Sequence, residues 1–285
     1  MSIATFIPEV WSARLLAHLR KNLVVANLFN RNYEGEITQY GDTVHINQLT
    51  EIAVKNYEKN VDIADPDQLT TAEQTLLIDQ GDYFNFYLND VDRVQARGDL
   101  MDEAMRSASY GLADNLDKYL AGKLAMEGTL TTGLGTDEAP LYVTAENAYE
   151  LLIQMKVALD KANVPNQGRY ALMPPEYEGY MLLDNRFASA GGANAEGRLI
   201  NGLVARAAGF DIYISNNVKN TEGEKNKIIA STVDQATYAN QIIRTEAYRR
   251  EKGFDDGVKG LHVYGAKVLR PAAVAVATVN FGTHT

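Results

Sequence analysis

The side chains that could do chemistry in this sequence are four histidines and many carboxylates, and the sequence contains no cysteine. The histidines, His18, His45, His262 and His284, are scattered without the short spacing of a metal site. His45 and His262 lie in runs that alternate like strands, which favours structural histidines over metal ligands. The lack of cysteine excludes disulfides, thiolate catalysis and cysteine-bound zinc, so we expect neither a metal nor a cofactor.

Two carboxylate pairs are candidates for acid–base hydrolysis, namely Asp90 with Asp92 and Asp255 with Asp256. Asp90 also suits the start of a helix, and the sequence Asp255-Asp256-Gly257 favours a turn. Motifs for a phosphate loop, a nucleophile elbow and a zinc protease are absent from the sequence. We therefore predict that the chain is not an enzyme, and a monomeric carboxylate-dependent hydrolase is the remote alternative.

The composition bounds the kind of partner. The chain of 285 residues has 37 acidic and 27 basic residues, a net charge of −10, whereas proteins that grip nucleic acid carry basic patches. Specific nucleic-acid binding is therefore not expected. Sixteen dispersed tyrosines favour protein interfaces over carbohydrate stacking. Without a secretory signal or a run of about 20 apolar residues, we expect a soluble intracellular product that binds no membrane.

The elements that must position these residues begin with an amphipathic segment. Val10, Trp11, Leu15, Leu16 and Leu19 repeat at helical spacing and form one apolar face. Two interpretations stay open: a helix docked on its own core, or an arm lying on a neighbouring subunit.

Strand signals follow from Gly35 to Asp90. Alternation predicts strands over residues 43–47, 75–78 and 83–88. The insert between Ile52 and Leu69 is mostly polar, too long for a tight hairpin and too polar for a core of its own. Since an isolated two-stranded projection is only marginally stable, we expect a neighbouring molecule to support it.

Helices dominate the middle of the chain. The spacing predicts a long helix from Asp99, as N-cap, to Glu127, with Gly128 as the stop and a length of roughly 40 Å. A second helix is predicted after Thr144 as N-cap and before Pro165, and a third around residues 176–183.

The remaining predictions are strands and one loop. Residues 188–197 are rich in glycine and alanine and predict a mobile loop, and their glycines have the wrong spacing for a dinucleotide fingerprint. The class is α+β, and we expect strands far apart in sequence to pair, so that a middle insertion interrupts one domain. The predicted strands span residues 169–173, 210–214, 228–230, 241–249, 261–269 and 272–279.

In their order, several phrases resemble the major capsid proteins of tailed bacteriophages, which share the Hong Kong ninety-seven fold. FIPEVWS at residues 6–12 resembles their N-terminal arm, and GDTVHI at 41–46 resembles the strand that enters their extended loop. The helix predicted over 99–127 matches the place of their spine helix. AAGFDIYISNN at 207–217 and YGAKVLRPAA at 264–273 are similar to their apical segment and closing strands.

The resemblance implies an α+β capsid fold with an arm, an extended two-stranded loop, a spine helix in a peripheral domain and an apical domain inserted in the middle. It implies these segments: 1–34 as the arm, 35–90 as the extended loop with flanking strands, 91–130 as the spine helix, 131–240 as the apical domain and 241–285 as closing strands of the peripheral domain.

The function implied is a structural subunit that self-assembles, as hexamers and pentamers, into an icosahedral shell enclosing double-stranded DNA without sequence-specific binding. The implied location is the virion, with assembly in the host bacterial cytoplasm, a separate scaffolding protein and a portal protein. An encapsulin-type nanocompartment shell, which has the same fold, is the alternative. The candidates for subunit contacts are Trp11, Arg14, Lys55, Tyr57, Glu58, Lys59, Asp62 and Asp65.

Overall fold

The computed structural model describes residues 23–32, 41, 43–49, 54–57, 59, 62, 71–89, 100–183, 203–218, 220–221, 225–249 and 255–281. Several predictions fall outside these residues, and they concern Trp11, Arg14, His18, Glu58, Asp65, Asp90, Asp92, Asp99, His284 and the loop 188–197.

Three α-helices and twelve strands lie in the described part of the chain. The helices are α1 (Leu100–Glu127), α2 (Ala148–Lys161) and α3 (Pro175–Leu183). The strands are β1 (Thr43–Leu49), β2 (Thr71–Leu77), β3 (Gln80–Asn89), β4 (Leu141–Val143), β5 (Arg169–Met173), β6 (Leu203–Ala207), β7 (Phe210–Ile214), β8 (Asn220–Thr221), β9 (Lys225–Thr232), β10 (Ala236–Arg249), β11 (Asp255–Val268) and β12 (Ala275–Phe281).

One sheet gathers strands from the middle of the chain and the last strand. Its order is β4-β12-β9-β5-β7-β6, with β8 paired to β9. All five side chains of β5 are buried, as expected for a central strand covered on both faces. One face carries α2 and α3 through a core that includes Leu152, Met155, Tyr177 and Phe210. β12 therefore joins the sheet of the middle segment.

A second sheet joins the two ends of the chain. β3 pairs antiparallel with β11, and β11 pairs antiparallel with β10, in the order β10-β11-β3. The expectation that early and late strands share a sheet is confirmed. Helix α1 lies on one face of this sheet and buries Leu112, Leu116, Leu120 and Leu124. At about 1.5 Å per residue, its 28 residues are roughly 42 Å long.

Gly128 ends α1 as predicted, and close packing explains why. A Cβ there would lie 2.5 Å from Cγ2 of Val276, so a side chain would displace β12. The helix end is thus fixed against the seven-stranded sheet, and this contact joins the two sheets.

Thr144 caps the turn before α2, as predicted, although the regular helix begins only after Asn147. The Thr144 hydroxyl accepts a hydrogen bond from the N–H of Glu146 at 3.4 Å, and its carbonyl accepts one from the N–H of Ala148 at 3.2 Å. The Asn147 side chain accepts a hydrogen bond from the backbone N–H of Thr144 at 2.8 Å and donates one to the carbonyl of Tyr142 at 2.8 Å.

One local prediction was wrong. Asp255-Asp256-Gly257 is not a turn but the start of β11. Gly257 is needed there because the ring of Tyr248 occupies the place of a side chain, with its Cζ 2.5 Å from an ideal Cβ.

Candidate subunit-contact site

The connection between β1 and β2 carries the predicted contact residues that the structure describes. Lys55, Tyr57, Lys59 and Asp62 are all exposed. Tyr57 is 75% exposed and Val54, beside Lys55, is 97% exposed. Single exposed apolar side chains are ordinary, but two this exposed within four residues supply apolar area that another molecule could cover.

The predicted projection consists of β1, β2 and the connection between them, and its root, strands β1 and β2, is supported by the chain itself. β1 and β2 pair from Thr43 with Leu77 to Leu49 with Thr71. Val44, Ile46, Leu76 and Ile78 are buried in a small core with Ala239, Val263 and Leu269. The expectation that a neighbouring molecule must support the projection is therefore wrong for its root, strands β1 and β2. The predicted strand at residues 83–88 is β3, which belongs to the three-stranded sheet.

The backbone of β2 approaches β11 closely at one glycine. A Cβ on Gly265 would lie 2.2 Å from the carbonyl oxygen of Leu77 and 3.0 Å from Cα of Ile78. The Gln74 side chain also donates a hydrogen bond to the carbonyl of Leu269 at 3.1 Å. These contacts fix the position from which the projection leaves the body.

The described part of the predicted arm, residues 23–32, is held by a carboxylate that the sequence analysis did not single out. Asp117 is buried on α1 and accepts backbone N–H hydrogen bonds from Val24, Val25 and Ala26 at 2.8, 3.2 and 3.1 Å. Burial raises the pKa of the Asp117 carboxyl, and the three N–H donors oppose that rise. The sequence does hint at this role, because Asp117 is an acidic residue on the helical face that carries Ala113, Leu116 and Leu120.

Asn30 gives this segment a second anchor, on β10. Its backbone N–H donates to the carbonyl of Ala236 at 2.9 Å, and its carbonyl accepts from the Tyr238 N–H at 3.1 Å and the Thr237 hydroxyl at 2.9 Å. Residues 23–30 are therefore anchored to both α1 and β10 of the same chain.

The exposed face of the three-stranded sheet presents aromatic side chains. Tyr83 and Tyr87 on β3 are 77% and 58% exposed, and Leu261 on β11 lies opposite Tyr83. Next to them, Lys259 pairs with Glu246 at 2.8 Å. Among the residues that the structure describes, β1 and β2 cover this face around Val263 and Gly265, and Tyr83 and Tyr87 on its other half are exposed.

The polar cluster on the α1 side of β11 is structural. Burial lowers the pKa of His262 to about 4, and its Nε2 lies 3.4 Å from the amide nitrogen of Asn240. Tyr264 donates a hydrogen bond to Asp82 at 2.9 Å, and burial raises the pKa of its hydroxyl. Within the described ranges, no group of three histidine, aspartate or glutamate side chains could hold a metal ion.

The described carboxylate pair does not form a hydrolytic site. Asp255 and Asp256 are neighbours in β11, so their side chains point to opposite faces of the sheet. Asp255 is buried, and Asp256 pairs with Arg249 at 3.0 Å. Their arrangement supplies no converging acid and base.

Comparison with known proteins identifies the class. The family model for phage capsid protein matches residues 63–277. The chain belongs to this family and is a shell subunit of a phage capsid. No curated protein matches the chain. Among the described residues, no helix is long and apolar enough to cross a membrane.

Solved structures agree with this assignment. A chain from Mycobacterium phage Che8 is 32% identical, with a TM-score of 0.68 and 91% of each chain covered. The capsid of Ralstonia phage GP4 is similar at 12% identity, with a TM-score of 0.64 over 90% of this chain and 87% of that one. A virus-like particle from Pyrococcus furiosus has 12% identity and a TM-score of 0.55 over 94% and 98%. The last two likenesses show the fold alone.

Proposed function

We propose that this chain is the major subunit of the icosahedral head of a tailed bacteriophage and that the head encloses double-stranded DNA. The observation that carries the proposal is the capsid family match over residues 63–277. The exposed Val54 and Tyr57, on a projection whose root is packed against β10 and β11, support assembly through contacts between copies.

The predicted contact residues have distinct roles in this proposal. Tyr57 and Val54 supply apolar area to a neighbour, while Lys55, Lys59 and Asp62 fix orientation by charge. Trp11, Arg14, Glu58 and Asp65 are proposed as contacts on the sequence analysis alone. Many modest contacts of this kind become strong together when a symmetric shell closes.

The domain division is part of the proposal. We assign α1 and the three-stranded sheet to a peripheral domain, and the seven-stranded sheet with α2 and α3 to an apical domain. Because β12 pairs with β9, we place Ala275–Phe281 in the apical domain and not with the other closing strands.

Partners and place of assembly follow from the same proposal. A net charge of −10 suits a shell that surrounds DNA without gripping it. A separate scaffolding protein and a portal protein would complete the head in the host cytoplasm. The phage capsid family match favours this proposal over an encapsulin-type shell, which would be supported by co-purified cargo enzyme in native particles.

Electron microscopy of the purified full chain tests the proposal, alone and with the products of neighbouring genes. We expect closed shells, rings or tubes, and we expect Tyr57→Asp to reduce particle yield because it places a charge in an apolar contact. Tyr110→Asp is the matched control, since Tyr110 is an exposed tyrosine on α1. A chain that stays monomeric at high concentration in both settings would contradict the proposal.

A further inference from the structure

The outer edge of β3 lacks the features that usually prevent strands from pairing between molecules. In the described part of the chain, no strand pairs with this edge, because β3 is the last strand of its sheet. Gly81 is exposed, so backbone is accessible there. From Gln80 to Asn89 the strand contains no proline or lysine, and its one charged residue, Asp82, accepts a hydrogen bond from Tyr264.

The opposite edge of the same sheet is protected. The C-terminal half of β10 carries Glu246 and Arg249, and the register of β10 with β11 shifts between Ile242 and Arg244. At its other end, Asn30 bridges to Thr237. Charges, bulges and covering segments are the usual means of blocking edge pairing, and β10 has all three. The contrast singles out β3.

The sequence of β3 is symmetric about Asn85. Residues 83–87 read Tyr-Phe-Asn-Phe-Tyr in both directions. Tyr83, Asn85 and Tyr87 are on the exposed face, while Phe84 and Phe86 stack at 6.0 Å and pack against the main core. Antiparallel strands related by a two-fold axis pair residues at equal distances from the axis.

We propose that β3 of one copy pairs antiparallel with β3 of a second copy about a two-fold axis through Asn85. Tyr83 then lies opposite Tyr87 of the second copy, Phe84 opposite Phe86, and Asn85 opposite itself. Each aromatic residue meets another on its own face of the sheet, a favourable cross-strand arrangement. The two sheets become one of six strands in the order β10-β11-β3-β3-β11-β10.

This inference rests on the proposed function and deepens it, because it names one strand through which shell subunits meet. It also predicts a continuous exposed apolar surface on one face of the six-stranded sheet. This surface is formed by the exposed side chains of Tyr83, Tyr87 and Leu261 from both copies.

Cysteine cross-linking of the purified full chain tests the pairing directly, since the chain has no native cysteine. Opposed residues have Cα atoms about 4.5–5.5 Å apart, within the roughly 4.4–6.8 Å that a disulfide spans. Under mild oxidation, or with a short bismaleimide, we expect Asn85→Cys to form covalent dimers at least about tenfold faster than Tyr110→Cys, because pairing gives a high effective concentration. Tyr83→Cys should stay near the control rate, since its opposite residue is Tyr87.

A charge exchange tests the register. Tyr83→Lys with Tyr87→Lys places like charges opposite each other twice, whereas Tyr83→Glu with Tyr87→Lys places opposite charges there. Both double variants remove the same two rings, so a lower dimer or particle yield for the first alone supports the pairing. Equal yields from the two would overturn it, and circular dichroism checks that both fold.

The outcomes separate this inference from the proposed function. Particles that form while Asn85→Cys cross-links no faster than Tyr110→Cys would overturn the strand pairing and leave the shell proposal standing. A cross-link between Asn85→Cys and Tyr57→Cys in mixed particles, without the Asn85 homodimer, would also overturn it, because the projection would then occupy the edge.

Discussion

Oδ2 of Asp117 lies 2.8 Å from the backbone nitrogen of Val24, although 93 residues separate the two in sequence. The same carboxylate accepts N–H groups from Val25 and Ala26, at the start of the short 3-10 helix Val25–Leu28. One acid on α1 thus satisfies three backbone donors that would otherwise be buried without acceptors. This contact holds residues 24–26, within the predicted arm, against α1 of the same chain.

Asp117→Ala is expected to destabilise the free subunit by about 2–3 kcal/mol, because three buried N–H groups lose their acceptor. Asp114→Ala is the matched control one helical turn away, since Asp114 pairs with Lys118 at 2.6 Å and hydrogen-bonds to Asn217 but accepts no buried backbone N–H groups among the contacts described. Chemical denaturation measures both changes. Equal losses from the two variants would contradict the anchoring role of Asp117.

The pH dependence of the two variants should have opposite signs. The pKa of Asp117 is raised in the folded chain, mainly by burial, so its contribution is greatest below the ordinary value of 3.8 and declines as the pH rises through the folded value. The pKa of Asp114 is lowered, mainly by its hydrogen bond with Lys118, so its contribution is present above 3.8 and is lost on acidification. Unfolding measured from pH 3 to pH 7, as a difference from wild type, checks both signs. The same trend for both variants would refute this assignment.

His262 should make the subunit sensitive to acid. Its pKa falls from 6.5 to about 4 because the ring is fully buried, so the unfolded chain binds the extra proton first. The stabilising effect is present above pH 6.5 and is lost as the pH falls towards 4, by on the order of 3 kcal/mol. His262→Phe, which keeps a ring, should remove this slope. Tyr264→Phe keeps the imidazole and should retain it; a wild-type profile that is flat in this window would contradict the prediction.

The sequence predicts the bounds of the buried strands β5 and β7 better than those of the long hairpin formed by β10 and β11. The bounds of β5 and β7 are those predicted, because apolar runs lie between turn glycines at Gly168 and Gly209. β10 begins at Ala236 and not at residue 241, and β11 begins at Asp255 and not at residue 261. The added part of β11 carries the charged residues Asp256 and Lys259, which pair with Arg249 and Glu246 on β10. Where a strand is held by backbone hydrogen bonds and by ion pairs between strands, its apolar residues need not alternate, so the sequence pattern does not reveal it.

The candidate site was predictable as a region but not as a set of contacts. The polar insert indicated a projection, and Lys55, Tyr57, Lys59 and Asp62 are exposed as subunit contacts require. The support of its root depends on Gly265, whose role is visible only when β2 lies across β11. The roles of Asp117 and Gly257 likewise arise from residues distant in sequence.

Gly265→Ala should displace the projection. The added methyl group would meet the backbone of Leu77, which cannot move like a flexible side chain, so we expect a loss of about 1–3 kcal/mol. Gly111→Ala on α1 is the matched control, because its methyl group meets nothing within 4 Å and should stabilise the helix by about 0.5–1 kcal/mol. Thermal unfolding and particle yield report the two effects. A harmless Gly265→Ala would show that β2 does not lie against β11.

Arg169 is expected to be the main polar support of the segment between α2 and β5. Its buried guanidinium donates to Asp160 at 2.7 Å, to the carbonyl of Pro165 at 2.8 Å and to the carbonyl of Val164 at 2.5 Å. Arg169→Met keeps much of the buried aliphatic volume but leaves two backbone carbonyls without donors, which should cost about 2 kcal/mol.

The matched variant for this prediction is Lys156→Met. Lys156 contacts the same carboxylate, Asp160, at 2.7 Å, but both side chains are on the surface, where a single ion pair contributes little to folding. Denaturant unfolding should therefore separate the variants, with a large shift of the midpoint for Arg169→Met and a small one for Lys156→Met. If both shift equally, Asp160 and not the pair of carbonyls is the important partner of Arg169.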